Sequence, residues 1–243
     1  MTLILAVLRL LLLACLLLIG LLVGAVSFLI PERVFLRTAR LWHRLVVAVV
    51  GVKLDVAGAK PEGGALLVSN HISWLDISVL GSACDCVFLS KSEVRSWPVL
   101  GYLVARAGTL FIERGSGSAA AAKLVASALS EGRSVLIFPE GRTTDGMAVR
   151  KFQPRLFQPA LDTSSPVQPI SLAYVDSAGR NTSIPSFTGE ESFIQSLWRT
   201  VRSRGLAATV RIFPPVDHGE TRDALARESE KIVTNSRNSR KFH

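Results

Sequence analysis

Hydrophobic and charged positions set an N-terminal segment apart from the rest of the chain. Residues 10–30, LLLLACLLLIGLLVGAVSFLI, carry no charge over 21 positions, and about 20 apolar residues suffice to cross the hydrocarbon core of a bilayer. A cleaved signal peptide is the alternative, but no basic cluster precedes the run and the only basic residue before it is Arg9. We therefore predict a retained membrane anchor.

The next segment, PERVFLRTARLWHRLVVAVVGV, has the pattern of an amphipathic helix that begins near Pro31. Its basic face comprises Arg33, Arg37, Arg40 and Arg44. Its apolar face comprises Phe35, Trp42, Val46 and Val49. These faces suit a helix at a membrane surface, and an ordinary surface helix of a soluble domain is the alternative. Basic residues just after an apolar span also predict that the remainder lies on the cytoplasmic side, here of the inner membrane.

From residue 52 onward, short apolar runs alternate with helical patterns. The predicted strands are 64–69, 86–90, 108–112, 134–138, 167–174 and 208–213. The clearest helix is 118–131, with Ser118 as its cap and Gly132 just past its end. The pattern predicts an α/β fold with a mixed, mostly parallel sheet flanked by helices. Residues 1–50 form the predicted membrane-anchoring region, 51–243 the predicted catalytic domain, and the polar end at 234–243 is expected to fray.

Composition favours a membrane partner over a nucleic acid. The 243 residues carry a formal charge of +9, are 49% hydrophobic and have a mean hydropathy of +0.36. Basic charge suits phosphate-rich partners, but an aromatic content of 7% offers few stacking platforms for single strands. The three cysteines, Cys15, Cys84 and Cys86, do not form a disulfide framework, and no second Cys/His pair supports a metal site.

Four polar clusters follow predicted strands, where ligands gather in open α/β sheets. They are NHISWLD at 70–76, GTLFIERG at 108–115, LIFPEGRTTDG at 136–146 and VQPISLAY at 167–174. The chain has no G-x-S-x-G elbow, P-loop or H-E-x-x-H motif. Hydrolase, nucleotide-binding and zinc-protease functions are therefore disfavoured.

The first cluster has two interpretations. Ser73 and Asp76 match a helix capping box, which needs no catalysis. A cap leaves Asn70 and His71 unexplained, however. If His71 lies in the turn before the helix, Asp76 in the first helical turn can reach back to the imidazole and fix its tautomer. The other ring nitrogen is then free to take a proton, so capping and catalysis are compatible.

The other clusters supply cations and a tight turn. Arg114 and Arg142 can bind phosphate or carboxylate, although a surface pair with Glu113 is the alternative for Arg114. Glu140 is followed by Gly141, which lets backbone N–H groups approach a substrate oxygen and stabilise an oxyanion.

Together, NHISWLD, GTLFIER, FPEGRTT and VQPI resemble, in order and spacing, the four sequence blocks of the lysophospholipid acyltransferases of the 1-acylglycerol-3-phosphate type. The resemblance covers roughly residues 50–215 and implies transfer of a fatty acyl group to a lysolipid hydroxyl. It implies His71 as general base and Asp76 as its partner, without a metal or other cofactor. It further implies an acceptor site shaped by Arg114, Glu140 and Gly141, and an acyl pocket at Pro169. We also predict that Asn70, Ser73 and Arg142 bind substrate.

The third block departs from the family pattern at the acceptor site. Many phosphatidate-forming members read F-P-E-G-T-R-S, whereas this chain has Arg142 before Thr143. The first expectation for the acceptor is 1-acyl-sn-glycerol-3-phosphate, which gives phosphatidate; lyso-ornithine lipid or another lysolipid is the alternative. The expected donor is acyl-CoA or acyl carrier protein. A non-catalytic protein that binds anionic membrane lipids is the alternative of another class.

Overall fold

A seven-stranded sheet forms the centre of the computed structural model, which describes residues 2–61, 63–96, 100–112, 117–189, 191–216 and 221–238. The spatial order of the strands is β1-β7-β6-β2-β5-β3-β4. Their bounds are β1 Lys53–Gly58, β2 Leu66–Ser69, β3 Val87–Lys91, β4 Leu110–Ile112, β5 Val135–Ile137, β6 Val167–Val175 and β7 Ala207–Ile212.

The sheet is mixed and mostly parallel, as predicted. Strand β2 pairs in parallel with β5 on one side and with β6 on the other, and β6 pairs antiparallel with β7. The loops that leave β2 and β5 therefore emerge at the same edge of the sheet. Strand β1 was not predicted, because its edge position leaves most of its residues exposed and removes the continuous apolar run.

Nine α-helices lie within the described residues. They are α1 Thr2–Ala25, α2 Glu32–Val50, α3 Asp76–Ala83, α4 Ser92–Arg95, α5 Leu100–Arg106, α6 Gly117–Ser130, α7 Gln158–Asp162, α8 Phe193–Arg202 and α9 Arg222–Asn238. Two 3₁₀ turns span Ser27–Leu29 and Pro154–Phe157. Helix α6 matches the predicted 118–131 within one residue. Residues 234–243 were expected to fray, but 234–238 continue α9, where the Arg237 side chain is buried. Residues 239–243 lie outside the described part of the chain.

Two hydrophobic cores cover opposite faces of the sheet. Leu67 belongs to a core shared with α2 and α3, whereas its neighbours Leu66 and Val68 belong to a core shared with α6 and α9. Successive side chains of a strand point to opposite faces, so the two cores lie on either side of the sheet. We call these sides the α1 face and the α9 face, since Leu13 and Leu16 of α1 pack against the first core.

Helix α1 is the one described helix that is long and apolar enough to cross a membrane, over Leu3–Ala25. It lies against the α1 face, where the Arg9 guanidinium donates to the carbonyls of Val201 and Ser203, each at 2.8 Å. Its outward side is an exposed apolar stripe of Leu3, Ile4, Val7, Leu8, Leu11, Leu12, Leu18, Ile19 and Leu22.

Helix α2 is amphipathic as predicted, but the environment of its apolar residues differs from that of a helix lying on a membrane surface. Phe35 and Val46 of the predicted apolar face are buried against protein, and Val46 belongs to the core of the α1 face. A different apolar set is exposed: Val34, Leu41 and Leu45. Helical periodicity defines an apolar side but cannot say whether lipid or protein covers it. The predicted boundary at residue 50 stays a prediction.

Candidate active site

His71 and Asp76 meet across the turn that follows β2. The imidazole Nδ1 of His71 lies 2.8 Å from Oδ2 of Asp76. Residues 70–75 form the turn, and α3 begins at Asp76, so the carboxylate reaches back from the first helical residue. The predicted contact is therefore present. Since the carboxylate accepts the Nδ1 proton, the basic lone pair lies on Nε2.

Asp76 is completely buried and fully hydrogen-bonded. Besides His71, its Oδ2 accepts from the amides of Ile72 at 2.6 Å and Ser73 at 2.9 Å. Its Oδ1 accepts from the Tyr174 hydroxyl at 2.8 Å. Burial, together with the Asp76 charge, raises the pKa of Tyr174 well above its usual value, so the phenol keeps its proton and remains a donor.

The capping interpretation is partly correct as well. Ser73 Oγ accepts from the amide of Leu75 at 3.2 Å, and Asp76 accepts from the Ser73 amide, which is the reciprocal arm of a capping box. However, the residue that precedes the helix is Leu75, and it makes no side-chain cap. The buried Ser73 hydroxyl is thus used inside the turn, and its predicted substrate contact stays a prediction.

The His71 ring is held on its other side by an aromatic contact. It stacks on Phe138, with ring centroids 3.9 Å apart and an interplanar angle of 13°. About 20% of the side chain is exposed. Within the described part of the chain, Nε2 has no hydrogen-bond partner. The ring is therefore fixed by a carboxylate and by stacking, while its basic nitrogen remains available to a substrate.

Asn70 fastens the same turn to β6. Its Nδ2 donates to the Leu172 carbonyl at 2.9 Å, and its Oδ1 accepts from the Leu172 amide at 2.8 Å. The side chain thus replaces one step of the sheet's backbone pairing and is almost completely buried. These contacts give Asn70 a positioning role, and the predicted substrate contact is not required to explain it.

Glu140 joins two loops rather than facing open solvent. Oε1 accepts from the His71 amide at 2.8 Å, and Oε2 accepts from the Arg150 amide at 3.0 Å. The Thr144 amide donates in turn to the His71 carbonyl at 2.9 Å. Burial raises the pKa of Glu140, although the two amide donors oppose this. The carboxylate thus clamps the loop after β5 to the loop after β2.

Gly141 makes the sharp turn that this clamp requires. Its φ is +74°, and an added Cβ would lie 2.2 Å from Nε2 of Gln153. Its amide already donates to the Phe138 carbonyl at 3.0 Å, so this amide is not free for an oxyanion. Arg142, the next residue, is exposed, and in the described residues neither its amide nor its side chain has a hydrogen-bond partner.

Two further predicted site residues lie apart from the dyad or outside the description. Pro169 is buried near the start of β6, opposite Val68 of β2, and its carbonyl accepts from the Phe213 amide at 3.0 Å. Arg114 lies outside the described residues. Their predicted roles at the acyl pocket and the acceptor therefore stay predictions.

The sequence did not reveal three residues around the dyad. Tyr174 and Phe138 lie within apolar strand patterns, where an aromatic residue is interpreted as part of the hydrophobic core. Arg237 is separated from the motifs by about 60 residues or more, yet its guanidinium donates to the carbonyls of Leu172 and Gly146. Only a three-dimensional structure brings these residues to the turns around Asp76.

Comparisons with known proteins indicate one family. A profile of the Acyltransferase family matches residues 53–173. The lyso-ornithine lipid O-acyltransferase of Pseudomonas aeruginosa is 38% identical over 199 residues, covering 81% of this chain and 77% of that protein. The 1-acyl-sn-glycerol-3-phosphate acyltransferase of Neisseria meningitidis serogroup B is 35% identical over 187 residues, covering 75% and 73%.

A solved structure shares the fold. The crystal structure of the 1-acyl-sn-glycerophosphate acyltransferase from Thermotoga maritima matches with a TM-score of 0.69 and 20% identity, over 93% of this chain and 94% of the other.

Proposed function

This chain belongs to the lysophospholipid acyltransferase family, and we propose that it acylates the free hydroxyl of a lysolipid bound beside Nε2 of His71. The observation that carries the proposal is the His71–Asp76 contact of 2.8 Å, with Nε2 left open. Because the family consists of enzymes, the alternative of a non-catalytic lipid-binding protein is disfavoured.

The two nitrogens of the His71 ring have different roles in the proposed reaction. Nε2 of His71 takes the proton of the acceptor hydroxyl while that oxygen attacks the thioester carbonyl carbon. Asp76 stabilises the resulting imidazolium through Nδ1. The tetrahedral intermediate then expels the donor thiolate, which takes the proton back from Nε2. An ester and a free thiol result, and the histidine returns to its starting state.

Direct attack fits the surroundings of the dyad better than an acyl-enzyme. Ser73 is the hydroxyl nearest to the dyad in sequence, but it is buried and accepts from the Leu75 amide. A covalent route would need an exposed nucleophile activated by His71. The lysolipid hydroxyl supplies the nucleophile instead.

Lyso-ornithine lipid is the acceptor that the sequence and the relatives favour. The third block reads Gly141-Arg142-Thr143 instead of the Gly-Thr-Arg order of many phosphatidate-forming members, so the guanidinium is displaced by one position. Thr143, which occupies that place, donates its hydroxyl to the Phe187 carbonyl. The relative at 38% identity is a lyso-ornithine lipid enzyme. 1-Acylglycerol-3-phosphate is the second candidate, on the strength of the Neisseria relative.

In this proposal the lysolipid reaches the site from a membrane. The exposed apolar stripe of α1 inserts into lipid, on the cytoplasmic side of the inner membrane, and α2 lies beside it with exposed Arg37. A lysolipid can then reach His71 without leaving the bilayer surface.

A paired-acceptor assay tests the function. Purified full-length protein in vesicles receives a radiolabelled acyl donor and either lyso-ornithine lipid or 1-acylglycerol-3-phosphate at equal surface concentration. We expect ester product with both acyl acceptors to depend on His71, and faster product formation with lyso-ornithine lipid. Faster product formation with 1-acylglycerol-3-phosphate would replace the first acceptor by the second, and no product with any lysolipid would contradict the function.

A further inference from the structure

One buried cation of α9 reaches the turns around the dyad. Arg237 lies in the last turn of the helix and is only 8% exposed. Its guanidinium donates to the carbonyl of Leu172 in β6 and to the carbonyl of Gly146 in the loop after β5. Burying a charge is unfavourable unless the charge is hydrogen-bonded, so these two bonds determine where this arginine can lie.

The first of the two carbonyls is shared with Asn70. The Leu172 carbonyl accepts from Asn70 Nδ2 at 2.9 Å as well as from Arg237, because a carbonyl oxygen has two lone pairs. The Leu172 amide donates to Asn70 Oδ1 at 2.8 Å. Asn70 immediately precedes His71. Arg237 therefore fixes the strand position to which the start of the turn at 70–75 is fastened.

The second carbonyl is connected to the other side of the same turn. The Gly146 amide donates to Thr144 Oγ1 at 3.2 Å. Thr144 donates to the His71 carbonyl from its hydroxyl at 3.1 Å and from its amide at 2.9 Å. Gly146 has a φ of +75°, and an added Cβ would lie 2.9 Å from Cδ1 of Ile72. Arg237 thus holds a loop that both bonds and packs against the backbone of the dyad.

The charge of Arg237 is placed among carboxylates. Burial lowers its pKa, and the charges of Glu140, Asp76 and Asp145 oppose this effect. An arginine side chain stays protonated in proteins, so it supplies a fixed positive charge beside the two buried carboxylates, Asp76 and Glu140. The guanidinium therefore offsets part of their mutual repulsion while its N–H groups bind the two carbonyls.

Anchoring of α9 does not by itself explain a buried arginine. The helix is held by apolar residues in the core of the α9 face: Leu225, Ala226 and Val233. It is also held by Glu230, whose Oε2 accepts from the Phe152 amide at 2.8 Å. These contacts lie before the last turn of the helix, whereas Arg237 extends from that turn to backbone beside the dyad.

We propose that Arg237 is a positioning residue for acyl transfer. By bridging Leu172 and Gly146, it holds the turn at 70–75 and the loop after β5 in the arrangement in which Nδ1 of His71 meets Asp76. The proposal rests on the proposed function, since the reaction that it supports is the transfer at His71. It makes the C-terminal helix a part of the active site, although the helix itself does not contact the imidazole.

The test is Arg237→Gln in full-length protein, which removes the charge and shortens the side chain. The matched control is Arg106→Gln, because the half-buried Arg106 also donates to two backbone carbonyls, those of Ser27 and Ile30 between α1 and α2. Below the thermal transition of both variants, we expect Arg237→Gln to lower kcat about 10–100-fold with little change in the KM of either substrate. The control should keep a kcat close to that of the wild type.

A second variant, Arg237→Lys, keeps the charge but lacks the fork that spans two carbonyls. We expect its kcat to lie between those of Arg237→Gln and the wild type. A purely structural role would lower the thermal transition of the variants and leave kcat at lower temperature unchanged. Wild-type kcat in either folded variant would therefore overturn the proposal, and Arg237→Lys decides if Arg237→Gln does not fold.

Nuclear magnetic resonance of protein labelled with ¹⁵N-histidine gives a readout that is independent of turnover. The Nδ1–H proton of an imidazole bound to a carboxylate resonates far downfield, and its loss in His71→Ala assigns it. We expect this signal in the wild type and in Arg106→Gln, and its shift or loss in Arg237→Gln. An unchanged signal in Arg237→Gln would overturn the proposal even if the rate falls. Absence of transfer by the wild type, with the signal altered only in Arg237→Gln, would instead contradict the proposed function.

Discussion

The segments that follow β2 and β5 each provide one buried carboxylate, Asp76 and Glu140, yet the two carboxylates have different hydrogen-bond partners. Asp76, after β2, accepts from the side chains of His71 and Tyr174 as well as from two amides. Glu140, after β5, accepts from the amides of His71 and Arg150. One carboxylate contacts the imidazole of the proposed general base, and the other fixes the backbone that carries this ring.

The difference shows how to separate catalysis from positioning. A change at Asp76 acts on the protonation chemistry of His71, because the carboxylate contacts the imidazole directly. A change at Glu140 acts on loop geometry, because its contacts are with the backbone. The first should reduce the rate with little loss of stability, and the second should reduce both.

Asp76→Asn gives the largest expected effect in this comparison. The amide keeps the shape and most hydrogen bonds of the carboxylate but removes the charge that stabilises the imidazolium. We expect kcat to fall about 10²–10⁴-fold, with a far-ultraviolet circular dichroism spectrum like that of the wild type. A loss of less than about threefold would show that His71 does not depend on the carboxylate.

Glu140→Gln should have an intermediate effect on rate. A glutamine oxygen can accept from only one of the two amides, so one buried N–H group loses its partner. We expect a loss of about 1–3 kcal/mol in the free energy of unfolding and a fall of about 10–100-fold in kcat as His71 shifts. The control is Glu131→Gln, an exposed carboxylate whose removal should change stability by no more than about 0.5 kcal/mol. Unchanged stability would contradict the clamp.

Tyr174→Phe should affect the rate less than either carboxylate. It removes the hydrogen bond to Oδ1 of Asp76 and leaves the three bonds to Oδ2, including that from His71. We expect kcat to fall less than about tenfold and the free energy of unfolding to fall by about 1–3 kcal/mol. The chain's other tyrosine, Tyr102, hydrogen-bonds Ser27 away from the dyad, so Tyr102→Phe is the matched control for the rate.

His43 offers a contrast to His71 that changes stability rather than rate. It packs against Trp42 and Phe88, and burial lowers its pKa to about 4 from the usual 6.5. Between pH 6.5 and about 4, His43 therefore binds a proton in the unfolded chain but not in the folded chain. The free energy of unfolding falls as the pH drops through this range. We expect a loss of up to about 3 kcal/mol from this residue. The urea midpoints at pH 7 and pH 5 should differ less for His43→Gln than for the wild type. An equal difference in the two proteins would contradict the contribution of His43 to the pH dependence.

Contiguous sequence revealed the dyad because His71 and Asp76 are only five positions apart. Asn70, His71 and Asp76 follow one short strand, and a single turn brings the ring to the carboxylate. The mixed sheet was predictable for a similar reason, since most of its strands are short, largely apolar runs bounded by polar residues.

Long-range partners and the surroundings of apolar faces were not predictable. Tyr174 reaches Asp76 from 98 positions away, inside a strand where it resembles core. The spacing of the apolar residues of α2 predicted a helix but not what covers its apolar face, because lipid and protein both cover apolar side chains.

The most direct test of the account is the transfer rate of His71→Ala in membranes. Full-length variant and wild type, at equal levels verified by immunoblot, receive acyl-CoA and lyso-ornithine lipid or 1-acylglycerol-3-phosphate. We predict that the variant folds, as shown by an unchanged thermal transition, and loses at least about 10²–10⁴-fold in rate with the acceptor that the wild type prefers. Transfer by folded His71→Ala at the wild-type rate would contradict the role of His71 as the general base.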